Sequence, residues 1–179
     1  MKIPQVTFRT RIGDNQSLGG GCAIGGEWKD VTSDDLFKGK KIVLFSLPGA
    51  YTPTCSSKHL PGYENKYDEL KKHVDEIYCL SVNDSFVMNA WFRDQKISKV
   101  KPIGDGEGKF TKGMDMLVNK PKQGFGMRSW RYSAFIDNGE IIKLFPEDGK
   151  KNNDDTQFKV SDVDTMLKYL KDKWKNSEI

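Results

Sequence analysis

Cysteine is scarce in this sequence: three residues, Cys22, Cys55 and Cys79, an odd number and far apart. That speaks against a disulfide scaffold and for a reducing compartment. Histidine is scarcer still. His59 and His73, with no cysteine pair beside them, offer no zinc spacing, so no metal is expected. No other cofactor is expected either. No apolar stretch approaches the length that spans a bilayer, and Met1 leads straight into polar sequence rather than into a charged segment followed by an apolar one. A soluble, unexported, cytoplasmic protein is the expectation. An excess of one charge is missing too: the net charge of +4 comes from lysines scattered beside acids, which reads as solvated faces rather than a nucleic-acid footprint. What remains is a globular composition, 30 % charged and 36 % apolar, on 179 residues that suit one domain with a real core.

The chain is organised around residues 48–55, Pro-Gly-Ala-Tyr-Thr-Pro-Thr-Cys. Just before them, residues 41–47 form a short continuous apolar run, the signature of a buried strand. Just after them, residues 56–73 are long, charged and helix-compatible. Thr52, Pro53 and Thr54 therefore fall where a helix should begin, with threonine as candidate cap and proline tolerated in the first turn. Cys55 belongs to that turn, where unpaired N–H groups and the positive end of the helix dipole favour thiolate over thiol. Thr52 lies three residues earlier, so hydroxyl and sulfur can point into the same space. A lone cysteine is usually a small buried hydrophobe, but that reading leaves the threonine, both prolines and the strand-to-helix placement unexplained.

Along the rest of the chain, Val6, Phe8 and Thr10 alternate as a first strand, and the glycine-rich residues 14–26 read as a flexible hairpin or loop around Cys22. Trp28 resumes an extended pattern, and residues 33–39 suggest a short capped helix closed by Gly39. Pro61-Gly62 should interrupt the helix after Cys55. His59, four residues past Cys55, either polarises the thiolate or packs near it through a hydrogen bond, and the second reading is the simpler. Residues 76–82 form a strand that buries Cys79. Asn83-Asp84 caps a helix whose apolar face is Phe86, Val87, Ala90 and Trp91. A strand at 100–103, a turn at 104–108 and a short helix at 110–117 follow. Residues 120–126 are loop, and 128–136 read as one strand carrying Arg128 and Arg131, with Asn138-Gly139 turning it into a hairpin. Ser161 opens a final amphipathic helix. Alternating strands and helices imply an α/β domain, a mixed sheet covered by helices.

Pro-x-x-x-Thr-x-x-Cys at residues 48–55, with Ser-Ser-Lys-His-Leu-Pro after it, resembles the signature of the type 5 peroxiredoxins. Residues 83–91, 128–133 and 160–170 look like the peroxiredoxin half of bacterial peroxiredoxin-glutaredoxin fusions, and the similarity runs from about Phe37 to the final helix. The resemblance implies a thioredoxin-like fold with peroxiredoxin extensions and a thiol-dependent peroxidase that takes hydrogen peroxide and organic hydroperoxides through a cysteine sulfenic acid. It also implies Cys55, Thr52 and Arg131 as catalytic, Pro48 and Arg128 as substrate-binding, glutathione and glutaredoxin (or thioredoxin) as reductant, and a homodimer. For Arg128 pairing with a surface acid is an equal reading; for Arg131 the match of Arg131-Tyr132-Ser133 to the family decides. No Cys-x-x-Cys follows the last helix, so a glutaredoxin domain is not expected in this chain. Cys22 on its glycine-rich loop is the one plausible internal resolving thiol, with external reduction preferred.

Two competing functions follow from the same residues. A disulfide oxidoreductase needs a second cysteine where this chain has Thr52. A redox sensor that passes oxidation from Cys55 to a partner without turnover is the other.

Overall fold

A computed structural model describes residues 1–15, 24–152 and 156–176. β1 (Thr7–Asn15) and β2 (Ile24–Thr32) form an antiparallel hairpin with Phe8 opposite Val31. α1 (Ser33–Phe37) leads to β3 (Lys41–Ser46), from which the chain passes through a loop to a π-helical turn (Cys55–His59), α2 (Leu60–Asn65) and α3 (Tyr67–Leu70). β4 (Glu76–Ser81), α4 (Ser85–Asp94), β5 (Lys101–Gly104) and α5 (Lys109–Gly113) come next. β6 (Leu117–Lys120) and β7 (Gly126–Ser129) make a two-stranded ribbon; β8 (Tyr132–Asp137), β9 (Glu140–Pro146) and α6 (Val163–Lys175) follow.

Five strands build the central sheet in the order β5-β4-β3-β8-β9. β3 runs parallel to β4 and antiparallel to β8, so it sits at the centre with both faces covered. That is why its sequence is a continuous apolar run rather than an alternating one. Its alternate residues feed two cores. Val43, Phe45 and Leu47 pack with Leu60, Tyr63, Trp91, Met166 and Leu170, while Ile42 and Leu44 pack on the other face with Phe8, Phe37 and Phe110. The mixed sheet with helices on both faces is the thioredoxin-like architecture expected from the sequence.

Several local expectations are corrected. Gly25 and Gly26 lie in β2, not in a loop, although the antiparallel hairpin itself is present. Cys22 lies outside the described residues. The helix at Cys55 is not α but π: the amide of Leu60 bonds Cys55 O, one residue further back than in an α-helix. Proline accounts for this. The ring of Pro61 would collide with the carbonyl four residues before it, and the wider turn removes the conflict. α2 consequently runs through Pro61-Gly62 and the break falls at Lys66, whose φ of −106° and ψ of 16° leave the helical region.

The buried face of α4 is Ser85, Met88, Trp91 and Phe92; Phe86 points outward and meets the ring of Trp28 edge-on at 5.3 Å. Residues 128–136 are two strands of different sheets, separated at Trp130-Arg131. The helix near residue 110 ends at Gly113, and residues 117–129 form the ribbon, which lacks the apolar alternation that would have announced it. α6 is capped by Asp162, which accepts from the Thr165 amide; Ser161 bonds elsewhere. No helix among the described residues is long and apolar enough to cross a membrane.

Candidate active site

The loop between β3 and the π-helical turn is pinned on both sides. The Leu47 amide donates to Leu80 O, and the Ala50 amide donates to Asn83 Oδ1 at 3.0 Å. Tyr51 takes a left-handed φ of 63°, a strained conformation for a bulky residue, and its hydroxyl donates to the Asp94 carboxylate at 2.7 Å. Gly49 lies close under Arg128: a Cβ there would stand 2.8 Å from Arg128 Nη1, so a larger residue would push the guanidinium aside. The Arg128 guanidinium thus packs over the loop, with its Nε donating to Phe125 O at 3.1 Å. Burial draws the Arg128 pKa down, and the nearby Cys55 sulfur works against that shift.

Thr52 does not cap the helix. Its hydroxyl donates to Gly49 O at 2.7 Å, while its carbonyl accepts from the Ser56 amide. Thr54 makes no side-chain cap bond either. Pro48, Thr52, Pro53, Phe125, Arg131 and Thr156 contribute to the walls of a pocket of about 270 Å³. A larger cavity of about 640 Å³ under the β1–β2 hairpin, lined by Phe8, Tyr78 and Ile103 among others, contains none of the predicted site residues.

Cys55 is fully buried behind this pocket, and Arg131 Nη2 donates to its sulfur at 3.4 Å across 76 residues of sequence. Arg131 stands in the short link between β7 and β8, next to the first residue of β8. Arg131 is itself only 3 % exposed, and its Nη1 lies 3.0 Å from His59 Nδ1. Since a guanidinium only donates, Nδ1 is the acceptor and Nε2 carries the proton, which it gives to Ser161 O at 3.1 Å. Burial first, and the Arg131 charge second, hold the His59 pKa well below the usual histidine range. His59 is therefore the hydrogen-bonded packing residue of the simpler reading, bonded to the arginine rather than the sulfur.

Cys79 is fully buried in β4 opposite Phe45. Burial pushes its thiol well above the usual range, with the Cys55 sulfur acting in the same direction. Two residues that sequence reasoning did not single out belong to the surroundings of the site: Ser161, which holds His59 and Tyr63 through its carbonyl, and Glu147, which holds Ser161. Neither carries a local signal. Ser161 resembles a helix cap and Glu147 an ordinary loop acid.

Arg131 meets a free, buried thiol at this end of β3, so fold and site together define a thiol-based redox enzyme of thioredoxin-like architecture. The family model described as Redoxin matches residues 2–167, and the chain belongs to that family. It is 53 % identical over 170 residues to the hybrid peroxiredoxin hyPrx5 of Haemophilus influenzae, spanning 94 % of this chain and 64 % of that protein's length. With a peroxiredoxin of Rhizobium etli it shares 51 % identity over 95 % of this chain and 94 % of the other. The crystal structure of the Plasmodium falciparum antioxidant protein, a 1-Cys peroxiredoxin, superposes with a TM-score of 0.87 at 37 % identity, covering 96 % of this chain and 98 % of that one. Within the redoxin family the chain is a type 5-like peroxiredoxin, a thiol-dependent peroxidase.

Proposed function

We propose that the chain reduces hydrogen peroxide and organic hydroperoxides at Cys55. The carrying observation is the Arg131 guanidinium 3.4 Å from the Cys55 sulfur beside a pocket walled by Pro48 and Thr52. A sulfur electron pair forms a bond to the outer peroxide oxygen. The O–O bond breaks, and its electrons leave on the inner oxygen, which takes up a proton and departs as water or an alcohol. Cys55 is oxidised by two electrons to the sulfenic acid and the peroxide is reduced. Thr52 has given its own proton to Gly49 O, so its lone pairs remain to accept from the peroxide hydroxyl. Arg131 stabilises the charge that shifts onto the oxygens. Pro48 shields the pocket from water, and Arg128 holds the loop from above.

Recycling belongs to the same proposal. One glutathione condenses with the sulfenic acid, releasing water and leaving a mixed disulfide; a glutaredoxin thiol then takes the glutathione and returns Cys55. The hybrid character of the Haemophilus relative supports this route. A homodimer and a cytoplasmic setting complete the reading. The exposed Tyr51 and Met127, on the Cys55 loop and beside Arg128, supply apolar surface for a second copy.

The test is the intact mass after one equivalent of hydrogen peroxide, with peptide mapping of all three cysteines. Gain of oxygen on Cys55, converted by glutathione to an adduct, supports the proposal. A Cys55–Cys22 disulfide replaces the recycling route, with thioredoxin as the preferred reductant. An unreactive Cys55 removes the assignment of the site.

A further inference from the structure

Glu147 is a buried carboxylate that the peroxidase reaction does not use, only 3 % exposed, just beyond β9. One of its oxygens, Oε1, collects four donors: the amides of Lys159, Val160 and Ser161 at 2.8, 2.9 and 3.0 Å, and the Ser161 hydroxyl at 2.8 Å. Burial works to raise this carboxyl's pKa, but the four bonds outweigh it and the net shift is downward. The main chain of the same residue holds a second segment. Its amide donates to Arg131 O at 3.0 Å, and its carbonyl accepts from Trp130 Nε1 at 2.7 Å.

These two segments meet again at the sulfur. Ser161, gripped by the carboxylate, presents its carbonyl to His59 Nε2. That bond fixes the imidazole tautomer, and Nδ1 then faces Arg131 Nη1 while Nη2 of the same guanidinium reaches Cys55. Glu147 thus grips the backbone of Arg131 directly and its side chain through Ser161 and His59. We propose that Glu147 is a positioning residue, which sets where the Arg131 guanidinium stands relative to the Cys55 sulfur and hence to the peroxide oxygens. The proposal rests on the role given above to Arg131.

The geometry makes the demand specific. What is used is one acceptor atom at a fixed reach, since Oε2 is buried with no partner among the described residues. Glutamine keeps that acceptor at the same reach and discards the charge. Aspartate keeps the charge and withdraws the acceptor by one methylene, dragging residues 159–161 and with them the carbonyl that orients His59.

The experiment measures second-order oxidation of Cys55 by hydrogen peroxide beside alkylation of Cys55 by iodoacetamide, a reaction with no peroxide oxygens to stabilise, in Glu147→Gln, Glu147→Asp and Arg131→Gln proteins. Glu147→Gln is expected to oxidise within about threefold of the unsubstituted protein, because the acceptor and its reach are retained. Glu147→Asp should lose about tenfold to a hundredfold against peroxide while alkylation changes far less, since a displacement near 1 Å costs that much in a positioned reaction. Adding His59→Leu to Glu147→Asp should cost little more, the path through His59 being already broken.

An aspartate variant that keeps the peroxide rate, a glutamine variant that loses it, or parallel loss of both reactions would overturn the positioning role. So would full additivity with His59→Leu. If Glu147→Asp does not fold, the glutamine variant and the His59→Leu single variant still decide: the first must keep the peroxide rate and the second lose it selectively. Should Arg131→Gln leave peroxide oxidation unchanged, the reading of Arg131 itself fails. If Arg131→Gln is impaired and Glu147→Asp is not, this inference alone fails.

Discussion

His59 Nδ1 stands 3.0 Å from Arg131 Nη1, so a fully buried imidazole is held neutral as the acceptor of a guanidinium. Its folded pKa lies below the ordinary histidine value of 6.5, and the unfolded chain binds the proton first as pH falls. The stability contributed by neutral His59 is complete above pH 6.5 and is lost as pH drops below it toward the folded pKa. Thermal unfolding at pH 7.5 and 5.5 should show a decline of at most about 1.4 kcal/mol per pH unit from this group. His73 shifts in the same direction through burial, so the diagnostic quantity is the difference between the unsubstituted protein and His59→Leu, whose decline should be smaller.

Replacing Thr52 by valine keeps the shape of the side chain and removes its hydroxyl. One partly buried hydrogen bond to Gly49 O is lost, so stability should fall by only about 1 kcal/mol. Peroxide oxidation of Cys55 should fall by about a hundredfold, because an acceptor that orients the peroxide has gone. Stopped-flow fluorescence beside urea denaturation separates the two; an unchanged oxidation rate contradicts the role given to Thr52.

Tyr51 stays at a φ of 63° with its hydroxyl on Asp94. In Tyr51→Phe that tether is absent and the strain remains. Exchange of the amides of the loop at residues 49–52 should quicken, and global stability should change by no more than about 1 kcal/mol, as the bond is half exposed. Hydrogen exchange that stays unchanged in this loop would mean that Leu47 and Ala50 alone hold it.

The β8–β9 turn offers a purely conformational prediction. Gly139 has a φ of 76° with only Ile3 near its missing Cβ, at 3.9 Å, so Gly139→Ala meets no clash and bears only the left-handed backbone cost. A loss of about 1 kcal/mol in urea denaturation is expected, with peroxide reactivity unaltered.

Much of this protein is legible locally. The apolar run of β3 reads as a buried strand because both its faces are covered, and Asn138-Gly139 reads as a hairpin because both residues must adopt positive φ. The placement of Cys55 after β3 and its spacing from Thr52 are likewise written in consecutive residues. The sequence by itself therefore determined the central strand, the β8–β9 hairpin, the place of Cys55 directly after β3 and the family. What only the tertiary structure decided is how that thiol is surrounded. Arg131 reaches Cys55 across 76 positions, His59 reaches Ser161 across 102, and the buried Glu147 carboxylate accepts from Ser161. Contacts of that separation leave no periodic trace, since they depend on where sheet and helices bring distant backbones together. The widened turn at Cys55 is the intermediate case: Pro61 is visible in the sequence as a disturbance, but that the helix widens instead of breaking shows only in the folded backbone, where the Leu60 amide bonds Cys55 O.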